Sequence, residues 1–200
     1  SADGRQLAHA DLVVVCAGPH SRSWLPQYLG LRPVRGQVLT GDVPAGVDTA
    51  AGEASFAVNG HGSWIPRFAR NDGTQAWIMG STFERGCDVL PPSEADMQAA
   101  RAENWHKLQT LLPTASQHHR AELAQASIWA QLRCASNDRR PVVGPVPAAG
   151  PHFWVNTALG SRGLTWALLC AELLAARLHG EPLPLPNDLA LAMSSDRWLA

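Results

Sequence analysis

The residues best placed to do chemistry lie near the end of the chain. Leu159-Gly160-Ser161-Arg162-Gly163-Leu164-Thr165 follows the β-branched and aromatic run Phe153-Trp154-Val155-Asn156-Thr157-Ala158 and opens an apolar stretch, 164–179. A strand, a glycine turn and a helix in that order leave N–H groups unpaired at the helix N-terminus, where anions and negatively polarised groups bind. Gly160 and Gly163 let a ligand approach the backbone closely; a plain tight turn explains the same spacing equally well. A second candidate is Val13-Val14-Val15-Cys16-Ala17-Gly18-Pro19, whose Ala17-Gly18 end leaves room for a cofactor beyond the strand's carboxyl end; a plain core strand is the commoner explanation. A third is Leu132-Arg133-Cys134-Ala135, where Arg133 ends an apolar run ahead of a polar loop, 135–140. A guanidinium there could clamp a carboxylate with two parallel hydrogen bonds, although a structural ion pair is more common. Arg139 and Arg140 read as solvated.

Other chemistries find little support. Gly60-His61-Gly62 resembles the start of a dinucleotide loop, but Ile65 and Pro66 stand where a helix should open. The serine-hydrolase elbow is absent, because Leu159 occupies the place of its first glycine. His118-His119 is adjacent rather than spaced for one helix face, Cys16, Cys87, Cys134 and Cys170 form no Cys-x-x-Cys pair, and no metal site is expected. Scattered free thiols point to a reducing, cytoplasmic setting. No run of about 18 apolar residues suggests a membrane span. The 200 residues carry 16 basic and 17 acidic side chains, a net charge of −1 that marks no general polyanion-binding surface. Lys107 is the sole lysine. Of the eight tryptophans, Trp105, Trp154 and Trp166 fall in periodic runs that suit core packing, while Trp64 and Trp129 are open to either packing or base stacking.

The elements that must position these residues follow from pattern. The run 11–17 predicts a strand buried on both faces, as in a parallel sheet. Asp3-Gly4 marks a turn, with a small hairpin strand over 6–9, and 21–29 predicts a short helix. From Leu31 the pattern predicts strands at 34–40, 55–58, 63–67 and 76–83, with Asn59-Gly60 and Asn71-Asp72-Gly73 as hairpin turns. Ser93-Glu94-Ala95-Asp96 predicts a helix cap, the helix stopping at Pro113 with Met97, Trp105, Leu108 and Leu112 on one face. An imperfect alternation follows at 124–134, then a short apolar segment bounded by breakers at 141–145, and another buried strand at 153–158. A helix over 164–179 ends at Gly180, with Leu164, Leu168, Ala171, Ala175 and Leu178 as its apolar stripe. The tail 182–186 is extended.

Five segments, in order, resemble the glycine/D-amino-acid oxidase family of FAD-dependent oxidoreductases. They are 32–37, Gly80-Ser81-Thr82-Phe83-Glu84-Arg85-Gly86, Arg133-Cys134-Ala135 through 141–147, 159–165, and Gly180-Glu181-Pro182-Leu183-Pro184-Leu185-Pro186. Within that family the likeness is narrower, to the oxidoreductase domain of bifunctional enzymes that build 5-methylaminomethyl-2-thiouridine in tRNA, and it covers essentially the whole chain.

The resemblance implies an α+β architecture. A mostly antiparallel substrate-domain sheet with a long helix spans 31–147. Remnant strands and a C-terminal helix of a parallel-sheet FAD-binding domain occupy 1–30 and 148–200, lacking the GxGxxG half. It implies FAD as cofactor, cradled by Ala17, Gly18, Gly160, Ser161, Arg162, Gly163, Leu164 and Thr165, with Arg133 binding the substrate carboxylate and no certain catalytic residue. The implied reaction removes the carboxymethyl group from 5-carboxymethylaminomethyl-2-thiouridine at the tRNA wobble position. S-adenosylmethionine would serve only a separate methyltransferase domain. With no initiator Met and no phosphate-binding glycine motif, the chain is expected to be a piece of a longer protein, with an incomplete sheet through which two copies could pair. FAD binding by this piece alone is then in question. The loop residues Ser136-Asn137-Asp138 differ from the Thr-Pro-Asp more usual in the family. The alternatives are an amine or amino-acid oxidase acting on glycine, sarcosine or a D-amino acid, and a folded module that binds no flavin.

Overall fold

The computed structural model describes residues 5–6, 8–44, 46, 54–123 and 125–198. The Asp3-Gly4 turn lies outside the described residues. The chain divides into two compact units, Ser1–Val34 with Arg133–Ala200, and Arg35–Leu132. Together they make a mixed α/β protein.

The first unit is built on a three-stranded sheet. β1 (Val13–Val15) lies parallel to β9 (Phe153–Thr157), and β9 is antiparallel to β8 (Val142–Pro145). Its core joins Leu25, Leu29, Leu31, Cys134, Val142, Val146, Val155 and Ala158. The parallel pairing follows the expected pattern, but β1 is not buried on both faces: Leu12 and Val13 are each 39% exposed. Among the described residues β1 pairs with β9 alone, so its other edge has no strand partner among them. The stretch expected as one helix is instead two 3-10 turns, Gly18–Ser23 and Gln27–Leu29, separated at Pro26, whose ring fixes its backbone angle and removes a donor.

Helix α4 (Gly163–His179) ends on Gly180 in the left-handed conformation, φ 67°, which glycine adopts without a side-chain clash. Its buried seam is not the expected stripe. Leu164 is 97% exposed and Leu168 80%, and Ala171 and Ala175 are exposed as well. Cys170, Leu173 and Ala176 are buried instead, with Cys170 and Leu173 in one cluster with Val143, Ala190 and Met193. The helix is apolar around most of its circumference, so periodicity alone does not choose a face. Arg177 does: its guanidinium donates to the carbonyls of Val143 (2.5 Å) and Ala190 (2.7 Å), which fixes the rotation of the helix.

The second unit is a six-stranded sheet with helices packed on one side. β2 (Arg32–Val43) and β7 (Ser127–Ala135) carry the chain into and out of it. β3 (Val58–Gly60), β4 (Gly62–Ala69), β5 (Gln75–Gly80), β2 and β6 (Glu84–Arg85) lie in that order, and β7 pairs with β2. The β4–β5 hairpin turns at Asn71-Asp72-Gly73, where the Asp72 carboxylate accepts from the Thr74 N–H at 2.9 Å. The other expected turn is shifted: Asn59 and Gly60 both belong to β3 and pair with Ser63 and Gly62 around His61.

Helix α1 (Glu94–Leu111) opens on the expected cap, with Asp96 N–H donating to Ser93 Oγ and Ser93 N–H to the Asp96 carboxylate. Two short helices follow, α2 (Pro113–His118) and α3 (Arg120–Leu123). Leu39, Trp64, Trp77, Met79, Leu108, Ala115, Leu123 and Ala126 form this unit's core. His119 packs against both Trp64 and Trp77, ring centroids 5.0 and 5.7 Å away. The face of α1 toward the sheet also carries buried polar groups. Asn104 Nδ2 donates to the Gln37 carbonyl at 3.1 Å and Lys107 Nζ to the Ser81 carbonyl at 2.8 Å. Buried Arg35 is held between Glu84 and Asp96, whose carboxylates lie 2.5 and 3.0 Å from it. Burial works against the charge of Glu84, but bonds from Thr82, Gln37 and Arg35 outweigh it and hold its carboxyl below the ordinary range. The chain closes on α5 (Asn187–Leu191) and a 3-10 turn, Ser195–Trp198.

Candidate functional site

All three candidate segments meet in the first unit. β1 and β9 are parallel neighbours, so their carboxyl ends lie on one edge of the sheet. From β1 the chain passes to Ala17, which is exposed, and Gly18, φ 54°. From β9 it passes through Ala158 and Leu159 to Gly160. The Thr157 hydroxyl links the two ends: it donates to the Gly18 carbonyl at 3.4 Å and lies 3.4 Å from Ser21 Oγ. The end of β7 joins them through an antiparallel bridge between Ala135 and Leu159. Thr157 Oγ1 also lies 3.8 Å from the buried Cys134 sulfur, and burial pushes that thiol's pKa up.

The turn itself is strained and open. Ala158 and Gly160 both have positive φ, 61° each. For alanine this conformation is unfavourable, and it persists only where the surroundings enforce it. Ala158 is 2% exposed in the core and held between the β9 pairings and the Ala135–Leu159 bridge. At Gly160 an added Cβ would meet no atom within 4 Å, so free space lies directly over the backbone. Gly160–Arg162 form a 3-10 turn, and α4 begins at Gly163 with neither a capping side chain nor an acidic residue in its first turn. Its first N–H groups and the positive end of its dipole therefore remain available to a ligand. Ser161, Arg162, Leu164 and Thr165 are exposed, while Gly160 and Gly163 are half-buried. Asn156, next to this edge, has a buried Oδ1 without a hydrogen-bond partner.

Arg133 is half-buried near the end of β7. Burial lowers its pKa from the ordinary value, yet a guanidinium stays charged throughout the physiological range. The loop that follows is pinned from below. Asp138 accepts from Arg197, from Ser136 Oγ at 2.7 Å and from the Arg140 N–H at 3.2 Å. Nothing in the spacing near Arg133 signals Arg197, whose partner is 59 positions away.

The chain resembles known proteins over nearly its whole length. It is 50% identical to the tRNA 5-methylaminomethyl-2-thiouridine biosynthesis bifunctional protein MnmC of Verminephrobacter eiseniae over 98% of this chain and 34% of that protein. It is 47% identical to the MnmC protein of Delftia acidovorans over 98% of this chain and 32% of that one. The chain thus spans about a third of the length of these curated relatives. Among solved structures, iminodiacetate oxidase from Chelativorans sp. BNC1 matches 94% of this chain and 47% of its own, with 26% identity and a TM-score of 0.65. The fructosamine oxidase Amadoriase II of Aspergillus fumigatus matches 98% of this chain and 45% of its own with a TM-score of 0.69 at 13% identity, a likeness of fold. The FAD dependent oxidoreductase (DAO) family matches residues 1–177 of this chain, and the chain belongs to that family.

Proposed function

We propose that this chain is the part of a FAD-dependent amine oxidase that contacts the flavin ring and the substrate, and that its substrate is the 5-carboxymethylaminomethyl-2-thiouridine of tRNA. The observation that carries the first half is the meeting of Gly18, Gly160 and Ala135 at one sheet edge through Thr157 and the Ala135–Leu159 bridge. The tRNA substrate is supported by the likeness to MnmC along nearly the whole chain. In this reading the first unit is the flavin-binding part, with β1, β9 and α4 as pieces of its sheet and helix layer, and the second unit is the substrate part.

The residues present fit a flavin. The uncapped start of α4 and the open backbone at Gly160 suit a planar ring edge that gains negative charge. When bound, FAD supplies the two-electron oxidation of a carbon–nitrogen bond. Ala17 and Gly18 leave space at the end of β1, and 160–165 present N–H groups to the ring. The glycine motif that holds a pyrophosphate is not in this sequence. The Arg133 guanidinium takes the substrate carboxylate in paired, charge-assisted hydrogen bonds and so orients the adjacent methylene. That methylene carbon loses two electrons and its bond to nitrogen; water supplies the oxygen of the two-carbon aldehyde acid released, and the aminomethyl group stays on the base.

A specific observation favours a small-molecule reading as the runner-up. One structural relative is an iminodiacetate oxidase, and iminodiacetate carries the same N-carboxymethyl group as the modified base. Pairing of two copies through the half-exposed β1 edge belongs with either substrate, and a monomeric mass in light scattering would remove it.

The test incubates the protein with FAD, desalts it and records the visible spectrum, then supplies modified tRNA or iminodiacetate. Retained flavin bands with loss of the carboxymethyl group from tRNA support the proposal. Turnover of iminodiacetate alone favours the runner-up, and a colourless protein removes flavin binding by this chain.

A further inference from the structure

The near-neutral charge of the whole chain hides an asymmetry. The first unit, Ser1–Val34 with Arg133–Ala200, carries nine basic and seven acidic side chains, and the second, Arg35–Leu132, carries seven and ten, net charges of +2 and −3 that together make the chain's −1. Within the first unit the cations gather at one place. Three segments build the carboxyl edge of β1 and β9: the turn Gly18–Ser23 after β1, the turn Gly160–Arg162 after β9, and the loop 136–141, which enters β8 at Val142 opposite Thr157. They bring Arg22, Arg162, Arg139 and Arg140, all exposed, and half-buried Arg133 stands just ahead of the loop. No Asp or Glu occurs over 12–34 or 139–171, and the one carboxylate of the loop, Asp138, is already gripped by Arg197.

The backbone beneath these cations is fixed. Ser21 is fully buried, with its Oγ 3.4 Å from Thr157 Oγ1, and the Arg140 carbonyl accepts from Ser136 Oγ at 2.7 Å and from Arg197 at 3.2 Å. The Arg22 charge is felt at the buried Cys134 thiol, one residue past Arg133, where it opposes the dominant effect of burial. A single guanidinium suffices for a substrate carboxylate. A dinucleotide cofactor brings its phosphates to one spot, whereas cations on three separate segments around an edge suit an anionic strand running past it.

We infer that this edge binds the RNA backbone beside the modified nucleotide, with Arg22 and Arg140 each on a phosphate. The inference rests on the tRNA reading above and extends it from the modified base to the strand that carries it. Phosphate contacts fix position without reading sequence, so the edge presents the wobble nucleotide to Arg133 rather than choosing its base.

The test measures binding of an anticodon stem-loop, with and without the modified uridine, by the FAD-treated chain from about 50 to about 200 mM salt. Arg22→Gln and Arg140→Gln remove a charge but keep a long polar side chain. Each is expected to weaken both stem-loops about fivefold at the low-salt end and to flatten the slope of log affinity against log salt by about 0.7, the share of one single-stranded phosphate. Arg120→Gln removes an exposed arginine of the acidic unit and is expected to leave the slope unchanged. An unchanged slope in either Arg22→Gln or Arg140→Gln overturns the phosphate contacts and leaves the tRNA reading standing. An equal loss in Arg120→Gln also overturns them, since charge anywhere then suffices. Loss of the flavin retained after desalting in Arg22→Gln or Arg140→Gln assigns these cations to the cofactor's phosphates and overturns them too. No binding of either stem-loop by the parent chain overturns the tRNA reading and the RNA edge together.

Discussion

Arg197 grips Asp138 with two nitrogens, Nε at 2.8 Å from Oδ2 and Nη2 at 2.9 Å from Oδ1. The same guanidinium donates to the carbonyls of Pro141 (3.1 Å) and Ser194 (2.9 Å), and its Cζ lies over the Trp198 ring, 3.7 Å from the centroid. One side chain near the end of the chain thus fixes the loop that follows Arg133-Cys134-Ala135. A bidentate, largely desolvated pair of this kind orders a loop more firmly than an exposed ion pair.

This pair predicts an acid-labile loop. Burial alone would raise the pKa of Asp138, but Arg197, Ser136 and the Arg140 N–H outweigh it and hold the carboxyl at about 2, below the ordinary 3.8. A carboxyl depressed by folding contributes stability that is present above its unfolded pKa and lost as pH falls through the folded one. The window is therefore about pH 4 down to about pH 2, and the contribution at neutral pH is about 2 kcal/mol. Asp138→Asn is expected to lower the unfolding free energy by about that amount at pH 7 and by much less near pH 2. Urea unfolding across this range checks it, and equal destabilisation at both ends would remove the linkage.

The rotation of α4 gives a second prediction. Leu173 is fully buried, whereas Leu168 is 80% exposed on the same helix. Leu173→Ala should cost about 2–5 kcal/mol, because it removes packing and leaves a cavity. Leu168→Gln should stay within about 0.5 kcal/mol. The stripe expected from periodicity would reverse this order, so thermal unfolding of the two variants decides between the faces.

What the sequence made legible was local. The Ser93/Asp96 cap, the Asn71-Asp72-Gly73 turn and the Gly180 stop each depend on a few neighbouring residues, and each stands where the pattern placed it. The faces of elements depend on partners far along the chain. The rotation of α4 is set by Arg177 reaching the Val143 carbonyl, and the exposure of β1 by the lack of a second neighbour among the described residues. Buried Asn104 and Lys107 on α1 were invisible for the same reason: their acceptors are carbonyls of Gln37 and Ser81, which periodicity does not report. The candidate site fell between these cases. Gly18, Gly160 and Arg133 stood out as residue types at strand ends, but the Thr157 hydroxyl and the Ala135–Leu159 bridge that join those ends carry no motif.

The open backbone at Gly160 predicts a sensitive position. At φ 61° a β-branched residue is strained, at a cost of about 1–2 kcal/mol for the left-handed conformation. Its side chain would also fill the space over the turn, where a Cβ meets nothing now. Gly160→Val is expected to reduce the flavin absorbance retained after desalting well beyond its effect on thermal stability. Gly86, in the second unit, also has a positive φ (73°) and an unobstructed Cβ position, so Gly86→Val carries similar backbone strain without altering the Gly160 turn. Equal flavin retention by the two variants would show that the Gly160 turn does not contact the ring.

Arg133 makes the sharpest claim about the substrate. Hydrogen bonds to charged groups contribute about 1.5–3 kcal/mol each, so Arg133→Ala in the flavin-loaded enzyme should raise KM for the N-carboxymethyl substrate by about tenfold or more. Arg133→Lys keeps the charge but loses the planar fork, and it should recover only part of the loss. The two variants also separate orientation from attraction. If the paired geometry aligns the methylene, kcat falls in Arg133→Lys while KM is largely restored. If the guanidinium acts as a simple cation, both constants return toward the parent values. Unfolding free energies measured beside the kinetics keep a structural role apart, because Arg133 is half-buried and a loss of fold would move both variants together. Unchanged turnover in Arg133→Ala would remove this residue from the site and leave the carboxylate to be bound elsewhere.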